Sequence, residues 1–253
     1  MIVSPVLRRL ATDLRFGLLM YTRSLQAMFF SFVFPVLFLA VVWFVLGDTR
    51  DGANADLIEY LLPGIISTCI VFSAISCTAG SIVKYRAGGT FRKLMTTPLS
   101  SYELNASRII SGMIVVLLSS VVSLIVAWLE FGIAPSINVV SVLVILTGSV
   151  TFVGMGMVVA YLINDPDSVN AVTYVVVLPL VVLSGSFFPV ERLPGLLMFP
   201  SILSPLTYLN DGLRDAMFGG SLRDAAFNLG ICGFLGFMVF VIGVAILMAK
   251  EEA

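Results

Sequence analysis

Apolar residues fall into six long runs, at about residues 25–46, 61–83, 109–129, 139–163, 169–187 and 227–249, parted by polar stretches. Each run is close to the roughly 20 residues a helix needs to cross the hydrocarbon core of a bilayer. The pattern predicts an all-α integral membrane protein with six transmembrane helices in one domain. Ahead of them, Val6, Leu10, Leu14, Leu18 and Tyr21 recur every three or four residues, while Arg8, Arg9, Thr12, Arg15 and Arg23 take the other side. Ser4 caps and Pro5 opens such a helix. Residues 5–24 therefore read as an amphipathic helix lying in the headgroup layer, arginines toward anionic lipid.

Two polar breaks depart from simple connections. Residues 84–105 carry Lys84, Arg86, Arg92 and Lys93 against the single acid Glu103. Phe91, Leu94 and Met95 stand at i, i+3 and i+4, one face of a short helix, with Arg92 and Lys93 turned away. Pro98 ends that helix near Thr97, and Ser100 with Glu103 has the spacing of a capping box for the next. Residues 188–226 are apolar enough to enter the membrane, but Pro189, Pro194, Pro200 and Pro205 cut them into pieces too short to cross. Broken backbone at membrane depth survives only where protein or a water-filled cavity satisfies its polar groups. The expectation is a re-entrant helical hairpin, then a loop returning to the last span.

Composition agrees with the pattern and charge orients it. Of 253 residues 59% are hydrophobic and 11% charged, and mean hydropathy is +1.07, far above a soluble average. Arg8, Arg9, Arg15, Arg23, Lys84, Arg86, Arg92, Lys93, Arg108 and Lys250 fall on one side of the six runs, and Arg50, Arg192, Arg214 and Arg223 on the other. Ten against four puts both termini in the cytoplasm and the 188–226 segment outside. By parity the turn from Asn164 to Asp167 is cytoplasmic, although it has no basic residue. Cys69, Cys77 and Cys232 lie in apolar runs without ligand spacing, and the chain has no histidine. Neither a disulfide framework nor a zinc site is indicated. No removable signal peptide is expected at the N-terminus.

The absences narrow function. No Lys, Arg, Asp, Glu or His lies within the six runs as drawn. Ion-coupled carriers, proton relays and intramembrane hydrolases need such groups. No G-x-x-x-x-G-K-[ST] phosphate loop is present, so nucleotide is not bound in that way. Any energy source is a separate subunit.

Two stretches then carry a resemblance over essentially the whole length. GGTFRKLMTTPLSSYELNASRI (Gly88 to Ile109) and LSGSFFPVERLPGLLMFPSILSPLTYLNDGLRDAMFGG (Leu183 to Gly220) resemble, in order and separation, the basic loop and outer hairpin of ABC-2-type exporter permease subunits. The resemblance implies a membrane-spanning transport subunit with no ATPase site and no bound cofactor of its own, ATP and Mg belonging to the partner. Its implied partners are two cytoplasmic ABC ATPase subunits, a second permease chain, identical or homologous, and membrane lipid, with no nucleic acid. It implies a prokaryotic plasma membrane. Gly89, Thr90, Phe91, Arg92, Lys93, Leu94, Met95 and Pro98 would form the coupling helix seated in an ATPase groove, and residues 5–24 the connecting helix. Gly185, Phe187, Phe188, Pro189, Pro205 and Tyr208 would form the outer gate hairpin.

The leading expectation is export of a hydrophobic or amphipathic compound, drug or lipid-like. Phe30, Phe34 and Phe38, spaced i, i+4 on the first run, are its pathway-lining candidates, against the alternative that they face lipid. Export of a lipid-linked glycan or polysaccharide and a non-transporting anchor or assembly role are the other readings. Small residues Thr147, Thr151, Gly156 and Ala160 allow close helix approach, and are expected to serve a permease pair.

Overall fold

The computed structural model describes residues 12, 14–15, 17–19, 21–23, 25–46, 55–88, 101–132, 135–190 and 194–251. Among them there is no strand. The described positions of residues 12–22 are helical (α1). Then come α2 (Leu25–Met28), a π-turn (Phe29–Val33), α3 (Phe34–Leu46), α4 (Ala55–Ala87), α5 (Ser101–Phe131) and α6 (Val139–Leu162). A 3-10 turn (Pro166–Ser168), α7 (Val169–Leu183), α8 (Gly195–Leu203), α9 (Pro205–Met217) and α10 (Leu222–Glu251) complete the chain.

Five of these helical stretches are long and apolar enough to cross a membrane: Leu57–Ala87, Ile110–Leu129, Val139–Leu162, Pro166–Leu183 and Leu222–Ile246. The first apolar run differs. It is helical from Leu25 to Leu46 but interrupted by the π-turn, in which the Phe34 amide donates to the Phe29 carbonyl five residues back. The turn falls within the Phe30–Phe34 spacing, whereas Phe34 and Phe38 both lie in α3 and their rings are in contact. The fifth run stops at Leu183 rather than Phe187. The reason is Gly185, at φ 72°, a conformation natural to glycine and one that ends helices.

The core is built around α4. Its Leu62, Ile65, Ile66, Cys69, Ile70, Ile75 and Ala79 are fully buried, with α5, α6, α7 and α9 packed around it. Two of the small residues of α6, Thr151 and Gly156, serve close approach within the chain. A Cβ on Gly156 would lie 2.8 Å from Thr78 of α4, and one on Gly236 of α10 would lie 1.9 Å from the Thr151 hydroxyl. Small side chains let the helix backbones close up, and here they join α6 to α4 on one side and to α10 on the other.

Hydrogen bonds sort the helix ends into two groups. At one end Asn138 caps α6, its Oδ1 accepting from the Ser141 amide at 2.8 Å while its Nδ2 donates to the Ala216 carbonyl at the end of α9, 2.7 Å. At the other end Arg86, near the close of α4, donates from Nη1 to the Ala160 and Ile163 carbonyls, 3.3 Å each. A guanidinium there answers the negative end of α6. It also puts the Asn164–Asp167 turn beside the end of α4 that enters the basic loop. α1 lies near that end too, because a Cβ on its Gly17 would sit 3.1 Å from Ser111 Oγ, early in α5.

Candidate functional site

Among the described residues, a dense set of buried polar contacts surrounds the Ser184-Gly185-Ser186 bend that ends α7. Beyond the left-handed φ, a Cβ on Gly185 would come within 2.7 Å of Val190. The Ser184 and Ser186 hydroxyls share a hydrogen bond of 2.8 Å, and the Ser184 amide donates to the Leu180 carbonyl. Three other elements reach in.

From α9, fully buried Asn210 donates through Nδ2 to the Ser184 carbonyl at 3.0 Å and sits 2.9 Å from Ser186 Oγ. At the end of α8, the Ser201 hydroxyl donates to the Leu183 carbonyl at 2.5 Å, and its own carbonyl accepts from Thr207 Oγ1 at 2.7 Å. From α4, the Tyr60 hydroxyl donates to the Gly185 carbonyl at 2.9 Å. Gly64, one turn further on, lets the Ser186 carbonyl press so close that a Cβ would lie 1.9 Å from its oxygen. The carbonyls freed by the end of α7 are thus met by side chains from three elements, as buried backbone requires.

The bend sends two phenylalanines in different directions. Phe187 packs on Phe38 of α3 at a ring-centroid distance of 5.0 Å, and Phe38 on Phe34 at 5.8 Å. Phe188 is 68% exposed. Of these two rings, Phe187 is the one that packs on α3. Pro189 follows half-buried, and buried Pro205 opens α9 at its first position, where a missing amide proton costs nothing. Tyr208 is half-buried against the core. Pro200 does not cut the segment as expected. It lies within α8, so residues 195–217 form two helices that meet at Ser204.

Beside the bend lies a polar cavity of about 350 Å³ lined by Glu59, Tyr60, Arg214, Asp215, Phe218 and Gly220. The Arg214 guanidinium stacks 4.0 Å over the Tyr60 ring and donates to Asp211 Oδ1 at 2.7 Å. Burial, then repulsion from Asp224, raises the Asp215 carboxyl above its usual range, although Asn228 donates to it. Among the described residues no cluster of three His, Cys, Asp or Glu side chains is placed to hold a metal.

Of the expected site residues, Gly185, Phe187, Pro189, Pro205, Phe34 and Phe38 are brought around this bend or onto its aromatic contact. The side chain of Phe30 and all of Gly89, Thr90, Phe91, Arg92, Lys93, Leu94, Met95 and Pro98 lie outside the described residues. Helices α4 and α5 mark the two ends of that loop. Missed by sequence reasoning were Tyr60, Gly64, Ser184, Ser186, Ser201 and Asn210. Ser184, Ser186, Ser201 and Asn210 stood inside the quoted motif, and an asparagine within a largely apolar stretch was the signal available. Tyr60 and Gly64 offered none, because their partners are more than a hundred residues away.

The model of the ABC-2 type transporter family matches residues 10–218, most of the chain. The chain belongs to the ABC-2 type transporter family. It is a multi-pass membrane protein, and the membrane domain of this family has no ATPase activity and binds no cofactor itself. ABC transporter G family member 20 of Dictyostelium discoideum is 26% identical over 203 residues, 79% of this chain and 28% of that protein. Nodulation protein J of Neorhizobium galegae is 31% identical over 134 residues, 53% of this chain and 51% of that protein. Linearmycin resistance permease protein LnrN of Bacillus subtilis (strain 168) is 25% identical over 211 residues, 78% and 50% respectively. The chain spans about half or less of the length of these relatives of the ABC-2 family member described here.

Proposed function

We propose that this chain is the permease subunit of an ATP-driven exporter of a hydrophobic or amphipathic compound, working with two cytoplasmic ABC ATPase subunits and a second permease chain. The first apolar run joins the five long apolar helices as a sixth crossing. Both termini face the cytoplasm of a prokaryotic cell, the protein sits in the plasma membrane, and the Gly185 bend with α8 and α9 forms a hairpin at the outer face. Residues 89–98 form the coupling helix, Phe91 anchoring it in the ATPase groove with Leu94 and Met95, and Arg92 and Lys93 at the rim. Phe187 closes the outer end of an apolar pathway against Phe38 and Phe34.

The observation that carries this reading is the continuity of α4. Its 33 residues span about 50 Å at 1.5 Å per residue. Tyr60 and Gly64 touch the bend at one end, while Lys84 and Arg86 lead into the basic loop at the other. A displacement of the loop therefore reaches the bend through a single helix. Choice of substrate class is supported by the apolar aromatic contact at Phe38 and by the relative named for linearmycin resistance.

The test is Phe91→Ala in the assembled complex in inverted membrane vesicles, with ATPase recovery on purification and ATP-dependent uptake of a fluorescent amphipathic dye as readouts. Truncating a buried aromatic anchor costs upwards of about 2 kcal/mol. Recovery of the ATPase should fall at least tenfold, with insertion of the permease unchanged. Full recovery and full uptake would refute the coupling role.

A further inference from the structure

Arg214 on α9 carries a charge that its surroundings only half answer. Its Nη1 donates to Asp211 Oδ1, and its guanidinium lies 4.0 Å over the Tyr60 ring. Nε and Nη2, the other edge of the group, are buried and have no hydrogen-bond partner among the described residues. The two N–H groups of that edge are parallel, the fork that takes two oxygens of a carboxylate or phosphate at once. Stacking on Tyr60 and the bond to Asp211 keep the edge from turning away to water. Buried donors of a cation left without an acceptor are costly, and native proteins rarely carry them without a use. The side chain as a whole is 24% exposed and lines the polar cavity of about 350 Å³, so an acceptor has room beside it.

A bare anion does not suit this cavity. Glu59 and Asp215 line it too, and among the described residues the ion pair of Arg214 is with Asp211 alone. The two carboxylates repel an anion, as Arg214 repels a cation, so the fitting group carries both charges. Burial and Asp224 hold the Asp215 carboxyl above its usual range, and an ammonium beside it relieves that. Depth in the membrane supplies the source. The apolar stretches of α4, α6 and α10 begin at Leu57, Val139 and Leu222, and Asn138, just before α6, bonds the Ala216 carbonyl. The cavity therefore lies where three spans begin, at the level of lipid headgroups.

We propose that this cavity binds the headgroup of a zwitterionic phospholipid with a primary ammonium, its phosphate on the Nε–Nη2 edge of Arg214 and its ammonium on Glu59 and Asp215. A quaternary ammonium has no N–H to give these carboxylates, and a headgroup with hydroxyls in place of the ammonium leaves their charge unanswered. Phosphatidylethanolamine fits, whereas phosphatidylcholine and phosphatidylglycerol do not. Which leaflet supplies it rests on the orientation given under the proposed function. The headgroup depth does not.

The test uses the full chain in nanodiscs of phosphatidylethanolamine, phosphatidylcholine and phosphatidylglycerol in equal parts, with the same acyl chains. After release into detergent, bound lipid is counted by native mass spectrometry. The parent should retain phosphatidylethanolamine about tenfold over either of the others, the effect of one hydrogen bond to a charged group. Arg214→Lys, which keeps the charge and loses the fork, should remove most of that retention. Glu59→Gln, which leaves Arg214 and its bonds in place, should bring phosphatidylglycerol up toward phosphatidylethanolamine. Arg223→Gln, the loss of an exposed charge on α10, should change nothing. Glycerophosphoethanolamine added to the detergent should displace the bound lipid, since the cavity takes the headgroup. Equal retention of the three lipids by the parent, the mark of a cavity filled by water, overturns the site. A preference that survives both Arg214→Lys and Glu59→Gln overturns it equally, as does bound lipid that glycerophosphoethanolamine leaves in place. Neither ATP nor a transported compound enters the measurement, so its failure and that of the permease reading are told apart.

Discussion

Helices α4 and α10 are alike in length, 33 and 30 residues, yet the apolar window of α4 lies wholly inside the protein and only 17% of that of α10 does. The buried one is the richer in hydroxyls. α4 hides Ser67, Thr68, Ser73, Thr78 and Ser81, whereas α10 turns Phe227, Phe234, Phe237, Met238, Val241 and Ile242 outward. In water the assignment would be reversed. Against hydrocarbon there is little to gain from burying a phenylalanine, since lipid tails are as apolar as its neighbours, and much to gain from giving polar atoms partners and letting backbones approach. The hydroxyls of Thr68 and Ser81 answer the i−4 carbonyls of their own helix, at 2.7 and 2.5 Å, and Ser73 reaches another element. Burial in this family member therefore takes in small and polar residues beside the aliphatic side chains of α4.

The contrast is broken most severely at Gly64. Adding one methyl there drives a Cβ into the Ser186 carbonyl, and Gly64→Ala should destabilise the protein by about 3 kcal/mol, the upper range for overpacking. Gly230→Ala on α10 meets nothing within 4 Å and should be neutral or slightly stabilising. Thermal unfolding in detergent, followed by loss of monodisperse protein, compares the two, and equal midpoints would deny α4 its special place. Next comes the lipid exposure of α10. Phe234→Arg should lower membrane insertion by about 2.5–3.5 kcal/mol, as an arginine near a span centre does. Unaltered insertion in a glycosylation-mapping assay would mean that this face meets water or protein.

Within the bend, Asn210→Ala removes the amide that holds the Ser184 carbonyl and should cost about 1–3 kcal/mol. It should also raise proteolytic cleavage between Ser184 and Pro194. Protection as in the parent would make Asn210 incidental. The smallest effect belongs to Asp215. Its carboxyl titrates above the usual range, so the fold favours the protonated form, and stability contributed by that group increases as pH falls through its folded value. Asp215→Asn should raise the unfolding midpoint slightly at pH 7, and the gap to the parent should close on acidification. A midpoint lowered equally at both pH values would show that its bond with Asn228 outweighs the burial of charge.

Much of the architecture was legible beforehand. Five of the six apolar runs correspond to long helices, with ends moved by a few residues where a cap or a glycine acts. The second break contains two short helices, and Pro200 is carried inside α8. Less legible were the π-turn, for which the one local cue is Pro35 just beyond it, without an amide for the Ser31 carbonyl, and the divergence of Phe187 from Phe188. The divergence follows the contact of Phe187 with a distant element. The close-approach residues on α6 were recognisable as such, but nothing local said whether they would meet another part of the same chain or a second one.

By itself the chain's pattern determined an apolar, helical, multi-pass protein and a proline-broken segment after its fifth apolar run. These are properties of runs and turns, set by neighbours a few residues apart. Only the tertiary structure decided that α4 is the central helix, that the polar atoms of the bend are met by Asn210, Ser201 and Tyr60, and that Ser31 joins α1 to α4. The reason is separation. Bonds across 24 residues from Asn210 to Ser186, and 125 from Tyr60 to Gly185, leave no mark on local periodicity and arise only when the helices pack.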